Sequence, residues 1–146
     1  MLGKEQLKWV KDKVDMKYKW SIFGQQLLIG PKYLPKIFKN KEISNDSSFY
    51  TSELAGVELP FNTDQWDGYP REREEFYRTI SNSQSNLILA GDSHNSWFSN
   101  LYDENEEFVG IEIGAPAISS PSFGDTFKDK TRIIEDEFIK DNKDLV

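Results

Sequence analysis

A short apolar run, Leu87-Ile88-Leu89-Ala90, ends in Gly91 and is followed at once by Asp92 and, two residues later, by His94. Residues two apart on an extended segment point to the same side, so this pair could face one cation. A carboxylate with an imidazole suits a transition metal such as iron, manganese or zinc. Plainer roles stand beside that one: Asp92 as a loop cap, His94 as a satisfied core or surface histidine. A second stretch, Asp64-Gln65-Trp66-Asp67-Gly68-Tyr69-Pro70, sets two carboxylates three apart among aromatics. Hard cations such as calcium prefer oxygen ligands of this kind. The plainer reading is a Gly-Tyr-Pro turn with Asp67 capping the helix that follows. A third stretch, Gly114 to Pro121, has small residues and two prolines after a strand; turn chemistry alone explains it.

The elements that must position these residues are legible in outline. Residues 3 to 16 read as a helix, with Leu7, Val10 and Val14 on one face and Trp9 beside it. Residues 19 to 29 read as a strand, stopped by Gly30-Pro31. Residues 30 to 63, with Pro31, Pro35, Pro60 and the polar run Ser44 to Ser48, read as a long irregular loop. A helix is expected from about Pro70, since proline suits a first helical turn, with Phe76, Tyr77 and Ile80 as its apolar face. Leu87–Ala90 reads as a buried central strand, and Val109–Ile113 as another. Asp125 is expected to cap a last helix over 126 to 141, which shows Ile134 and Phe138 on one side. The pattern is α/β with three strands, few for a complete sheet sandwich. It places Asp92 and His94 at the carboxyl end of a strand, where α/β folds bind ligands.

Composition narrows the class. The chain has 146 residues, with 37% hydrophobic and 29% charged, which suits one folded domain rather than a disordered chain. A net charge of -7 disfavours nucleic acid as a scaffold partner, because binding phosphate backbones requires a positive surface. The basic stretch Lys4 to Lys19 has helical spacing and reads as a solvated helix face. No cysteine is present, so disulfides and thiolate metal sites are excluded. No run approaches the ~20 apolar residues of a membrane-spanning helix. No signal peptide is visible at the start, and the compartment stays open.

Taken together and in order, five stretches resemble the PhoD-like (alkaline phosphatase D) family of metallophosphoesterases. They are Leu2-Gly3-Lys4-Glu5-Gln6-Leu7-Lys8-Trp9-Val10, Trp20-Ser21-Ile22-Phe23-Gly24-Gln25-Gln26, Asp64-Gln65-Trp66-Asp67-Gly68-Tyr69-Pro70, Leu89-Ala90-Gly91-Asp92-Ser93-His94-Asn95-Ser96-Trp97 and Ile118-Ser119-Ser120-Pro121. The resemblance implies a calcineurin-like fold, in which two sheets lie between helices. It also implies hydrolysis of phosphate monoesters or diesters at a cluster of iron and calcium, with other divalent metals as substitutes. Carried over by motif, Asp92 and His94 match the metal-binding Gly-Asp-x-His, and Asp67 matches the aspartate of Trp-Asp-Gly-Tyr as a further ligand. Trp66, Tyr69 and Asn95 would line or brace the pocket. The family is often exported.

The departures count as well. The family's N-terminal half supplies its first metal motifs, built from aspartates, a cysteine, a tyrosine and an asparagine, and nothing here corresponds to them. The expectation is therefore a single domain over residues 1–146 that forms the C-terminal portion of a PhoD-like phosphatase domain. Its partners would be a phosphate ester substrate and a separately encoded N-terminal half. His94 is the sole histidine, so a metal role leaves none free as a general acid. Gly91-Asp92-Ser93 also resembles the nucleophile block of GDSL-type serine esterases. That chemistry needs a histidine base facing the serine, and the neighbour His94 has the wrong geometry. The remaining alternative is a non-catalytic remnant or interaction domain with the same fold.

Overall fold

The computed structural model describes residues 2–14, 17–44, 60–82 and 85–146. Most of the polar run Ser44 to Ser48 lies outside these residues. Helix α1 (Lys4–Lys13) is followed by strand β1 (Ser21–Gly24), a short 3-10 turn (Lys36–Lys39) and helix α2 (Lys41–Ser44). A 3-10 turn (Trp66–Gly68) leads directly into helix α3 (Pro70–Ile80). Strands β2 (Asn86–Ala90), β3 (Trp97–Tyr102) and β4 (Phe108–Gly114) come next. Helix α4 (Phe123–Phe127), a 3-10 turn (Lys128–Lys130) and helix α5 (Thr131–Asp141) complete the order. None of the described helices is long and apolar enough to cross a membrane.

The four strands lie in the order β1-β2-β4-β3, giving a mixed α/β structure. β1, β2 and β4 are mutually parallel, and β3 runs antiparallel to β4. Because side chains alternate along a strand, the register sorts them into two faces. One face carries Ile88, Ala90, Glu112, Ser99 and Trp97, all buried. Against one half of it pack Val10 of α1 and Phe76, Tyr77 and Ile80 of α3. Against the other half pack Leu34 and Phe38, with Ile134 and Phe138 of α5. Proline at the first position of α3 fits the helix start, where its missing N–H is not needed.

Several expectations are corrected. The strand expected over 19 to 29 ends at Gly24, because Leu28, Ile29 and Gly30 turn under the sheet as a buried loop. A fourth strand, β3, lies where none was read. The last helix is two helices. Ser122, not Asp125, caps the first of them, and Asp125 at its third position closes a capping box. Residues 30–44 are also less irregular than expected, since Leu34 and Phe38 build the core.

Candidate functional site

Since β1, β2 and β4 run parallel, all three end at the same sheet edge. That edge receives Gln25 and Gln26 after β1, the Gly91–Ser96 loop after β2, and the 115–121 segment after β4. Main-chain hydrogen bonds continue the ladder past the strands, from Gly91 N to Gln26 O (3.0 Å) and from Ala115 N to Ala90 O (2.9 Å). The Trp66–Gly68 turn joins them, with Trp66 Nε1 donating to Gln25 Oε1 at 2.9 Å. The fold thus gathers the motif-bearing segments at one edge.

The Gly91–Ser96 loop is not extended. Asp92 and His94 have φ of 61° and 62°, in the left-handed region. The expected alternation of an extended segment therefore does not relate their side chains. Asp and His tolerate this region better than most residues, and such backbone concentrates at functional sites. Neighbours hold the loop in its tight shape. Asn95 Oδ1 accepts from Phe123 N (2.8 Å), and Asn95 Nδ2 donates to Ser93 O (3.0 Å). Asn95 thus braces the loop against α4.

His94 Nδ1 lies 3.2 Å from Pro121 O. A carbonyl oxygen only accepts, so Nδ1 carries the proton and the Nε2 lone pair is left open. This is the arrangement in which a histidine binds metal, its other nitrogen fixed by a carbonyl. Asp92 is exposed, and its carboxylate has no hydrogen bond or ion pair among the described residues. Two donors, one carboxylate and one imidazole, thus stand ready at the loop. No group of three or more His, Asp or Glu side chains that could hold a metal occurs among the described residues. Asp92 and His94 by themselves fall short of such a group. Beside His94 lies a cavity of about 480 Å³ walled by Trp97, Phe123, Phe138 and Ile139.

Asp67 sits in a different environment. It is buried, and its Oδ1 accepts from Lys32 N at 3.2 Å and lies 3.6 Å from Arg73 Nη1. Lys32 Nζ in turn donates to Gly30 O (2.9 Å) and lies 3.5 Å from Glu112 Oε2. Glu112, on β4 and wholly buried, accepts from Ile29 N (2.6 Å) and Gly30 N (3.1 Å). Burial pushes the Asp67 carboxyl up to about 6, against the Lys32 N–H and the charges of Lys32 and Arg73. Burial likewise pulls the Lys32 ammonium down, opposed by Glu112 and Asp67. One oxygen, Asp67 Oδ2, is buried with no hydrogen-bond partner among the described residues. It is the one open donor Asp67 offers, and the Arg73 guanidinium stands beside the other oxygen. No hydrogen bond or ion pair joins Asp67 to Asp92 or His94 among the described residues.

Trp66 is buried and Tyr69, the residue before α3, is exposed. Gly68 is needed between them, since a side chain there would strike the Thr63 carbonyl. Sequence reasoning missed Lys32, Arg73 and Glu112. A signal existed for one of them: Glu112 interrupts the apolar strand Val109-Gly110-Ile111-Glu112-Ile113.

The sequence model of the PhoD-like phosphatase family matches residues 1–146. The chain is 30% identical to alkaline phosphatase D of Bacillus subtilis (strain 168), over 97% of this chain and 22% of that protein. A solved structure described as PhoD superposes on 99% of this chain with a TM-score of 0.65 and 25% identity, using 25% of that chain. The chain therefore spans about a quarter or less of the length of these relatives. With the family model matched from end to end and the motif segments gathered at one sheet edge, this chain belongs to the PhoD-like phosphatase family.

Proposed function

We propose that this chain forms the C-terminal part of a PhoD-like phosphatase domain that hydrolyses phosphate monoesters or diesters with bound metal, and that it is incomplete alone. The observation that carries the reading is the Asp92–His94 loop at the carboxyl end of β2. There an unpaired carboxylate lies two residues from an imidazole whose Nε2 is left open. Family membership supports phosphatase chemistry. In the complete fold this chain would contribute one sheet of a calcineurin-like sandwich. Further PhoD-like polypeptide would supply the rest.

Asp92 and His94 Nε2 would hold metal, iron or calcium by family resemblance or another divalent ion, and Asp67 would add its free Oδ2. Bound metal would supply charge to bind and neutralise the phosphoryl oxygens and to acidify a water. The chain's own groups do the positioning, on which phosphoryl transfer chiefly depends. Pro121 O orients the His94 ring, and Asn95 holds the loop to α4. Gln25 fixes the Trp66 indole, while exposed Tyr69 borders the approach at the turn before α3.

Metal content by mass spectrometry tests this. Wild type is expected to retain iron or calcium, and a variant with Asp92→Ala and His94→Ala to lose it. Asp67→Asn is expected to lose less, because the Arg73 guanidinium and the Lys32 N–H already engage that carboxylate. Wild type that binds no more metal than the double variant, even when mixed with the rest of a PhoD-like protein, would sink the metal assignment. Phosphodiester hydrolysis by the chain alone, abolished by Asp92→Ala, would sink the claim that it is incomplete.

A further inference from the structure

The cavity beside His94 has apolar walls, formed by Trp97 of β3, Phe123 of α4, and Phe138 and Ile139 of α5. The three rings brace one another. Ring centroids of Trp97 and Phe123 lie 6.1 Å apart and those of Trp97 and Phe138 5.6 Å, while Phe123 and Phe138 stack at 5.5 Å. Such contacts fix the rings in place, so the hollow exists before anything enters it. At about 480 Å³ it has the size of sites for small organic molecules. Several polar side chains in its lining are already engaged. Ser122 Oγ donates to Asp125 Oδ2 (2.9 Å) and Thr131 Oγ1 to Lys128 O (2.7 Å). Both polar atoms of the Asn95 amide are used in bracing the loop.

Two features say what the hollow can hold. His94 and Asn95 belong both to its lining and to the loop that carries Asp92, so a molecule held at that loop has the hollow beside it. The second feature is charge. No lysine or arginine lines the hollow among the described residues, so it offers no cation to grip a phosphate. Glu135 does line it, four residues before Ile139 and therefore on the same side of α5. Its carboxylate is exposed and has no hydrogen bond or ion pair among the described residues. A free carboxylate repels a second anion.

We propose that this hollow takes the ester group of the phosphate substrate, and that the group is apolar or aromatic and carries no negative charge. This rests on the reading that the Asp92–His94 loop holds the phosphoryl group. The hollow then receives what lies beyond the phosphorus. Ile139 and Glu135 are its specificity-determining residues. Ile139, 50% exposed, presents apolar surface to the incoming group, and covering that surface removes it from water. Glu135 sets the charge preference. An ester group that is a sugar or bears further phosphates gains nothing against these walls, and the second kind also meets the carboxylate.

Methyl, phenyl and para-carboxyphenyl esters of methylphosphonic acid, titrated into the purified chain with amide NMR shifts as the readout, test this. The phenyl ester is expected to bind at least about tenfold more tightly than the methyl ester, with shifts at Phe123, Glu135 and Ile139. The para-carboxyphenyl ester should bind about two- to fivefold more weakly than the phenyl ester at low salt. Glu135→Lys should reverse that order, and Ile139→Glu should reduce the advantage of the ring; both positions are exposed. If either variant does not fold, Glu135→Gln serves instead and should level the two aryl esters. Methyl and phenyl esters that bind alike would overturn the proposal. So would a phenyl ester that shifts only amides elsewhere or none at all, or two aryl esters that wild type binds equally. Ring binding in the hollow by protein that retains no metal, even when mixed with the rest of a PhoD-like protein, keeps this inference and removes the proposed function. Retained metal with no shift in the hollow does the reverse.

Discussion

Asp67 shows how a motif residue can take its properties from partners far away in sequence. On its own, Trp-Asp-Gly-Tyr allows a metal ligand or a helix cap. The structure puts the carboxylate in the interior between Lys32 and Arg73, with its pKa raised from 3.8 to about 6 mainly by burial. The folded protein then holds the Asp67 proton more tightly than the unfolded chain does. Between about pH 4 and pH 6 the native state binds more protons, so stability falls as pH rises through that window. A shift of about two units corresponds to roughly 3 kcal/mol as an upper scale. In metal-free protein, denaturant melts at about pH 4 and about pH 7 should differ more for wild type than for Asp67→Asn. Equal differences would show that Asp67 is not the group responsible. Asp92 and His94 form the contrasting case. Their place at the carboxyl end of an apolar strand was legible from Leu87-Ile88-Leu89-Ala90-Gly91. Their left-handed backbone was not, because the loop is held by His94 to Pro121 and by Asn95 to Phe123, 27 and 28 positions on.

At the scale of elements, the strongest local signals were read correctly. α3 announces itself with proline at its start and Phe76, Tyr77 and Ile80 at helical spacing. β2 does so with four apolar residues between polar Asn86 and Gly91. β3 escaped because Trp97-Phe98-Ser99-Asn100-Leu101-Tyr102 carries large side chains on both faces, so alternation points to neither. The Leu27–Ile29 run misled for another reason. Apolar residues in sequence suggest a strand, yet here the Ile29 and Gly30 N–H groups bond to the Glu112 carboxylate, 83 and 82 residues away. That carboxylate fixes the loop to β4. Glu112→Ala would leave two buried N–H groups and the Lys32 ammonium without their partner, at a cost of about 3–5 kcal/mol. Chemical denaturation would measure it, and a loss below about 1 kcal/mol would mean that water replaces the carboxylate.

Among the described residues the packed core lies on one side of the sheet, while Ile22, Leu89, Ile113 and Phe98 stand exposed on the other. The lone chain is expected to bind an apolar fluorescent dye such as anilinonaphthalene sulfonate while remaining folded. Leu89→Lys with Ile113→Lys should remove most of that signal, and an unchanged signal would place the dye elsewhere. Composition, motif order and hydrophobic runs determined by themselves the family, the α/β class, the principal helices and the candidate ligands Asp92, His94 and Asp67. These follow from neighbours in sequence, because residue type and spacing set helix faces, buried strands and turn chemistry. Tertiary structure alone decided that Asp67 lies among buried charges, that Glu112 anchors a distant loop, and that Ile22, Leu89, Ile113 and Phe98 stand exposed on one sheet face. Burial and pairing of charges are properties of chain segments brought together from far apart, and no local window contains them.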